Sequence, residues 1–277
     1  MLRIGEYNQL EIDRFTSVGA FLTDDQQNEV LLPKKYLEPN WEIGDVLDVF
    51  VYNDSEDRVV ATTEKPKLKV NEFAALTCNA VTSVGAFLDW GLIKDLLVPL
   101  KLQTVKMVEG NQYLIYMFLD DKSNRLVATA KINVHFKSAN EEDLEVGDKV
   151  SLLVGRSTEL GTQVVVDQKY SGLIFMNRLN RSLSFGEVTE GYIETIREDG
   201  KLDISLDPLG VEKFDVHQEA VLNYLKDNKG RMFLTDKSDP DEIRRMLNMS
   251  KKSFKKAVGA LYKARKIKLE NDKIELV

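Results

Sequence analysis

The chain has 277 residues, 38 Lys plus Arg against 45 Asp plus Glu, and a formal net charge of −7; 43% of its residues are hydrophobic and 30% charged. That is the composition of a globular chain rather than a disordered one, and no apolar run approaches the roughly 20 residues needed to span a bilayer. The start lacks the apolar core of a signal peptide, which with the single cysteine fits a reducing cytoplasm, and Cys78 alone excludes an internal disulfide.

In chain order, an internal repeat comes first. Thr16-Ser17-Val18-Gly19-Ala20-Phe21-Leu22 recurs letter for letter as Thr82-Ser83-Val84-Gly85-Ala86-Phe87-Leu88. Leu31-Leu32-Pro33-Lys34 matches Leu97-Val98-Pro99-Leu100 at the same offset, and Arg58 to Thr62 matches Arg125 to Thr129 one residue further on. Alternation at Leu10 and Ile12 and the β-branched, aromatic run 46–52 predict strands. The glycines at 19 and 85 predict a bulge or sharp bend, so each copy reads as a small five-stranded closed barrel.

A third, diverged copy opens at Val146-Gly147-Asp148, places Leu160-Gly161 in the Val-Gly slot and Ser171 to Phe175 in the Leu-Leu-Pro slot, and ends on strands around Tyr192 and Leu202 to Leu206. From Phe214 the period becomes helical. Val216, Ala220, Val221, Tyr224 and Leu225 predict a helix ending at Asn228-Lys229-Gly230. Asp239 with Pro240, and then Ser250, predict the caps of two more helices, with Phe254, Ala257, Val258 and Leu261 as the buried stripe of the last. Ile267-Lys268-Leu269 and Ile274-Glu275-Leu276 predict a hairpin across the turn 270–273. Three helices and a hairpin make a winged helix-turn-helix. The expected class is therefore mainly β with a C-terminal α+β module, divided at 1–67, 68–140, 141–214 and 215–277.

The segments Val-Gly-Ala-Phe-Leu and Gly172-Leu173-Ile174-Phe175-Met176-Asn177 resemble the S1-type RNA-binding OB fold, in which an aromatic-Gly-x-aromatic segment and a Gly-Leu-x-His-x-Ser segment form a stacking face. Carried over, the resemblance puts Phe21 and Phe87 in the second aromatic slot, Gln163 there in the third copy, and Leu32, Val98 and Phe175 in the His slot. Stacking on such a platform contributes about 1–3 kcal/mol per base and tolerates any base. Alternation leaves open whether Phe21 and Phe87 face the core or solvent. Arg14, Lys34, Lys35, Lys94, Lys101, Arg178, Arg181, Arg197 and Lys201 are candidate phosphate ligands in the barrels, although residues 141–216 carry 8 basic and 16 acidic side chains.

Charge reverses in the last module, where residues 217–277 hold 15 basic and 9 acidic side chains, and residues 250–268 hold eight basic and no acidic ones. Lys251, Lys252, Lys255, Lys256, Lys263 and Lys266 are expected to contact a phosphate backbone, and Gly259 to let it approach. Lysine positions a polymer more than it reads bases. Gly191-Tyr192-Ile193, Leu234 to Pro240, Met249 to Ala257 and Leu261-Tyr262-Lys263 resemble the conserved virulence factor B family of bacteria. That resemblance implies an RNA-binding protein acting on gene expression after transcription, with three S1-type domains ahead of a winged helix. His135 and His217 have no neighbouring Cys or second His, and no nucleotide-loop or hydrolase motif occurs. The expectation is a non-enzymatic protein with no metal, cofactor or small-molecule substrate and no membrane. Its expected partner is single-stranded RNA. Two other readings stand beside it: a regulator on duplex DNA, and a protein-interaction scaffold.

Overall fold

The computed structural model describes residues 2–141, 144–179, 181–208, 210–235, 237–270 and 273–277, without the side chains of 141, 210–216 and 252. It is mostly β. The first sheet contains β1 (Tyr7–Phe15), β2 (Gly19–Thr23), β3 (Glu29–Pro33), β4 (Val46–Asn53) and β5 (Val59–Thr62), closed as a barrel in the order β1-β2-β3-β5-β4. The second repeats the path with β6 (Phe73–Val81), β7 (Gly85–Asp89), β8 (Leu96–Pro99), β9 (Gln112–Asp120) and β10 (Arg125–Thr129). Its ladder order is β10-β9-β6-β7-β8; β8 and β10 lie side by side as β3 and β5 do, without a hydrogen-bonded ladder between them, so this five-stranded barrel is laced along four seams instead of five. The third, β11 (Lys149–Ser157), β12 (Gly161–Val166), β13 (Tyr170–Phe175), β14 (Val188–Ile196) and β15 (Leu202–Ser205), is again closed.

The repeated Thr-x-x-Gly has one structural cause. The backbone N–H groups of Thr16, Thr82 and Thr158 donate to the carbonyls of Gly19, Gly85 and Gly161 at 2.7, 2.9 and 2.8 Å. A methyl on those glycines would stand 2.1–2.3 Å from the carbonyl oxygens of Leu32, Val98 and Ile174, so the close approach of β3, β8 and β13 excludes any side chain there. The bulges lie one strand earlier than expected, where pairing slips between Ile12 and Arg14, Cys78 and Ala80, and Val154 and Ser157.

From Val49 to Tyr52, strand β4 is apolar on both faces because both are buried. Leu47, Val49 and Val51 fill the first barrel, while Phe50 and Tyr52 pack outward into the core of the second. Trp90 joins them edge to face, with ring centroids 5.8 Å from Phe50 and 6.1 Å from Tyr52. Leu153 and Val165 of the third barrel pack in the same way on Phe73, with Leu114, Tyr116, Ile132 and Phe136 around them.

Cα proximity separates two compact units. One holds Met1–Leu144, Val150–Glu190 and Thr195–Ile204; the other holds Glu145–Lys149, Gly191–Glu194 and Ser205–Val277. The second unit contains α1 (Gly210–Asp227), β16 (Arg231–Met232), α2 (Pro240–Leu247), α3 (Lys251–Lys263), β17 (Ile267–Leu269) and β18 (Ile274–Leu276), with the sheet ordered β16-β18-β17. Asp239 caps α2 by accepting from Asp241 N–H, and Ser250 caps α3 by accepting from Ser253 N–H, as their positions predict. Phe254, Ala257, Val258 and Leu261 are buried with Val221, Leu225, Ile243 and Ile274. The expected helical residue Val216 and the turn residues 271–272 lie outside the described side chains or residues.

Candidate nucleic-acid interface

Residues 19–22 settle the orientation left open by alternation. Ala20 and Leu22 are fully buried, and so are Ala86 and Leu88, which puts Phe21 and Phe87 on the outer faces of β2 and β7. Phe21 is not a bare ring. The Arg14 guanidinium lies 4.3 Å from its centroid, held there by bidentate bonds of 2.7 and 2.9 Å to Glu29 and one of 2.6 Å to Asp13. Phe87 is half-buried.

The ladder also corrects the His slot. Gly19 pairs with Pro33, Gly85 with Pro99 and Gly161 with Phe175. The counterparts of Phe175 in the first two copies are therefore Pro33 and Pro99, one residue beyond the expected Leu32 and Val98, which point into the barrels and are fully buried. Since side chains alternate, a slip of one residue exchanges a platform position for a core position. Only the third copy carries an aromatic ring at this slot.

In that third barrel Ser171, Leu173 and Phe175 project outward along β13, with Gln163 paired to Leu173. Phe175 is half-buried beneath Arg197, whose guanidinium carbon lies 5.5 Å from the ring centroid. Arg197 is tied to Asp203, its Nε donating at 2.7 Å, and the carboxylate raises the guanidinium's pKa. Lys201 donates to Asp199 at 2.7 Å, which lowers the Asp199 carboxyl's pKa, and Arg181 pairs with Glu187. Arg178 is exposed in the single turn Met176–Arg178 that follows β13. A cavity of about 610 Å³ opens on this face, lined by Leu173, Gln163, Arg197 and Lys201 on the barrel and by residues of the segment 133–138.

The corresponding face of the first barrel is bordered by the second. Ile93 and Lys94 line, with Leu31, Pro33 and Val60, a hollow of about 260 Å³. The Lys94 ammonium donates to the Asp54 carbonyl at 2.6 Å and lies 3.3 Å from Asp57, which also pairs with Arg125 at 2.6 Å. Lys94 is thus drawn into barrel packing.

The winged helix presents a different electrostatic surface. On α3 the face opposite Phe254 and Leu261 carries Lys255, Lys256, Gly259, Tyr262 and Lys263, all exposed, and Arg265 and Lys266 follow in the turn. Lys255, Lys256, Lys263, Arg265 and Lys266 have no carboxylate partner among the described residues. Nothing stands within 4 Å of where a Gly259 side chain would begin. Lys251 is set apart, since its ammonium donates to the Ser238 carbonyl at 2.8 Å and braces the start of α2. The side chain of Lys252 lies outside the description.

Sequence reasoning missed the aromatic cluster beside the third barrel. His135 stacks on Tyr116 at 4.1 Å and on Phe118 at 5.8 Å, and Phe136 on Phe73 at 4.9 Å. Burial lowers the His135 pKa. The density of rings at 73, 116, 118, 135 and 136 was its one signal in the sequence. Among the described residues no helix is long and apolar enough to cross a membrane.

Two family models match parts of this architecture. Residues 219–276 match the family described as CvfB-like winged helix domain, and residues 4–64 match the S1 domain family. The chain is 29% identical to the uncharacterized protein YitL of Bacillus subtilis, covering 98% of this chain and 92% of that one. It is 28% identical to conserved virulence factor B of Staphylococcus epidermidis over 86% of this chain and 82% of the relative. Among solved structures, a multidomain protein with nucleic acid binding domains from Streptococcus pneumoniae is 26% identical, with 99% and 98% of the two chains covered and a TM-score of 0.42.

Proposed function

We propose that this chain, an S1-type and CvfB-like winged-helix protein similar to conserved virulence factor B over most of its length, is a non-enzymatic, cytoplasmic RNA-binding protein that regulates gene expression after transcription. Its working units in this reading are the four modules 1–67, 68–140, 141–214 and 215–277. Capture occurs on the basic face of α3, through Lys255, Lys256, Lys263 and Lys266, with Lys251 and Lys252 at the helix start. The third barrel, through Phe175, Arg178, Arg197 and Lys201, holds the strand by stacking and phosphate contact. Phe21 and Phe87 are at most auxiliary.

One observation carries the reading. Arg14, Arg181, Arg197 and Lys201 in the barrels each meet a carboxylate, and the exposed Lys34, Lys35 and Lys101 are spread over two barrels, whereas α3 and the turn after it gather five exposed cations that meet none among the described residues. A cation already paired, such as Arg197 or Lys201, adds less on meeting a phosphate than an unpaired one, so the helix supplies most of the counterion release and the barrel contacts add to it. The barrels' excess of carboxylates then repels nucleic acid that does not reach the helix.

The test titrates full-length protein with a single-stranded RNA and a duplex DNA of equal length across a salt series. Tighter binding to RNA, weakening with salt, is the expected result. Preference for the duplex moves the assignment to a DNA-binding regulator, and no binding to either at low salt moves it to a protein scaffold.

A further inference from the structure

The cavity on the third barrel has two walls of different origin. One is the outward row of β12 and β13; the other is the segment between the second and third barrels, which contributes Asn133, Phe136, Lys137 and Ser138. That segment is anchored at both ends. On the second barrel, His135 and Phe136 are clamped on Tyr116 and Phe73. On the third, Lys137 N–H donates to Lys169 O at 2.9 Å, Ala139 N–H to Gly200 O at 3.0 Å and the Asn140 amide to Glu198 O at 3.0 Å. It is a fixed wall rather than a tether.

We propose that this cavity is a pocket for one unpaired nucleobase, and that Asn133 and Ser138 of the linker wall discriminate between bases. This rests on the RNA-binding reading above and adds to it which part of the site gives selectivity. The volume, about 610 Å³, is that of a site for a small molecule. Leu173 and Phe136 give apolar surface for the faces of a base, and the polar groups are amides and hydroxyls: Asn133, Ser138, Gln163 and Ser171. An Asn side chain offers donors and an acceptor together, the pattern that pairs with a base edge. Charge lies in the turn at Arg197, Asp199 and Lys201, where a phosphate would lie, and at Lys137 on the linker wall. The Nε and one Nη of Arg197 go to Asp203, which leaves the donors of the other Nη for that phosphate. Selectivity would then come from residues outside the OB fold, and the second barrel would act by holding the linker rather than by touching RNA.

The experiment uses the full chain and a set of ten-nucleotide oligo-U RNAs in which one central uridine is replaced in turn by A, C or G, with binding read by fluorescence anisotropy. Wild type is expected to separate the best from the worst ligand by about five-fold or more, the span of one good base contact. Asn133→Ala with Ser138→Ala should bring all four within about two-fold of one another while leaving the weakest ligand's affinity in place. Asn133→Asp, which removes donors and keeps shape, should change the order of the ligands. Unchanged ratios in both variants, or equal affinities in wild type, overturn the proposal and leave RNA binding intact. A wild type that binds none of the RNAs refutes the RNA-binding reading itself.

Discussion

Replacing Lys255, Lys256, Lys263 and Lys266 together by alanine gives the sharpest test of where the polyanion is captured. All four are exposed and none has a carboxylate partner among the described residues, so the fold should barely register the change, each site staying within about 0.5 kcal/mol. Binding should register it strongly. If each ammonium neutralises one phosphate of a single strand, the slope of log affinity against log salt falls in magnitude by about 0.7 per lysine, or about 2.8 for the four. Between 50 and 200 mM salt, contacts of that number account for about a 50-fold loss of affinity in wild type. The variant should therefore bind weakly at 50 mM and change much less over the same interval. Anisotropy titrations at four or five salt concentrations measure both numbers, with thermal unfolding as the control. A variant with the wild-type slope and an unchanged melting temperature would refute capture by α3.

Trp90→Ala should cost about 3–5 kcal/mol, because the ring is 2% exposed against Phe50 and Tyr52 of the first barrel; calorimetry is expected to resolve one transition of the paired barrels into two. Gly161→Ala drives a methyl to within 2.2 Å of the Ile174 carbonyl oxygen and should lower stability by about 1–3 kcal/mol or more, read as a fall in melting temperature, whereas Gly259→Ala, with open space around it, should leave stability level or slightly raised. Burial holds the His135 pKa below the value of the unfolded chain, so the unfolded state takes up a proton first as pH falls. This group's contribution is complete above about pH 6.5 and is lost as pH drops from there toward the folded-state pKa; melting temperatures measured from pH 7.5 to 5.5 should fall less in His135→Phe than in wild type.

The barrels were legible in the sequence because their duplication is literal at the turn Thr-x-x-Gly, where backbone contact leaves no freedom. The caps of α2 and α3 were legible for a similar reason, since Asp239 and Ser250 act within three residues of themselves. What failed was register. Leu32 and Pro33 are equally apolar, and nothing local says which of the two opposes Gly19; the sheet ladder decides, and it moved the platform slot to Pro33 and Pro99. Counter-ions were hidden for the same cause. Arg14 meets Glu29 across fifteen residues and Arg197 meets Asp203 across a turn, so candidate phosphate ligands that looked alike in sequence divide into paired and unpaired ones only in space. The linker wall was least legible of all, because His135 and Phe136 acquire meaning only from rings some twenty to sixty residues earlier.

Under the RNA-binding reading proposed above, the loop bearing Trp90 to Lys94 bears on how much of a strand this protein would cover. Its Ile93 and Lys94 narrow the approach to the first barrel's outer face, and the first two barrels offer a proline where the third has Phe175. A chain with three such folds in series would be expected to shield a long stretch of RNA, at about 4–16 nucleotides for each fold. Here the protected length should be that of a single fold plus the helix, and a nuclease digest should leave one short fragment, not a ladder of three. On that reading, duplication lengthens the scaffold without lengthening the footprint.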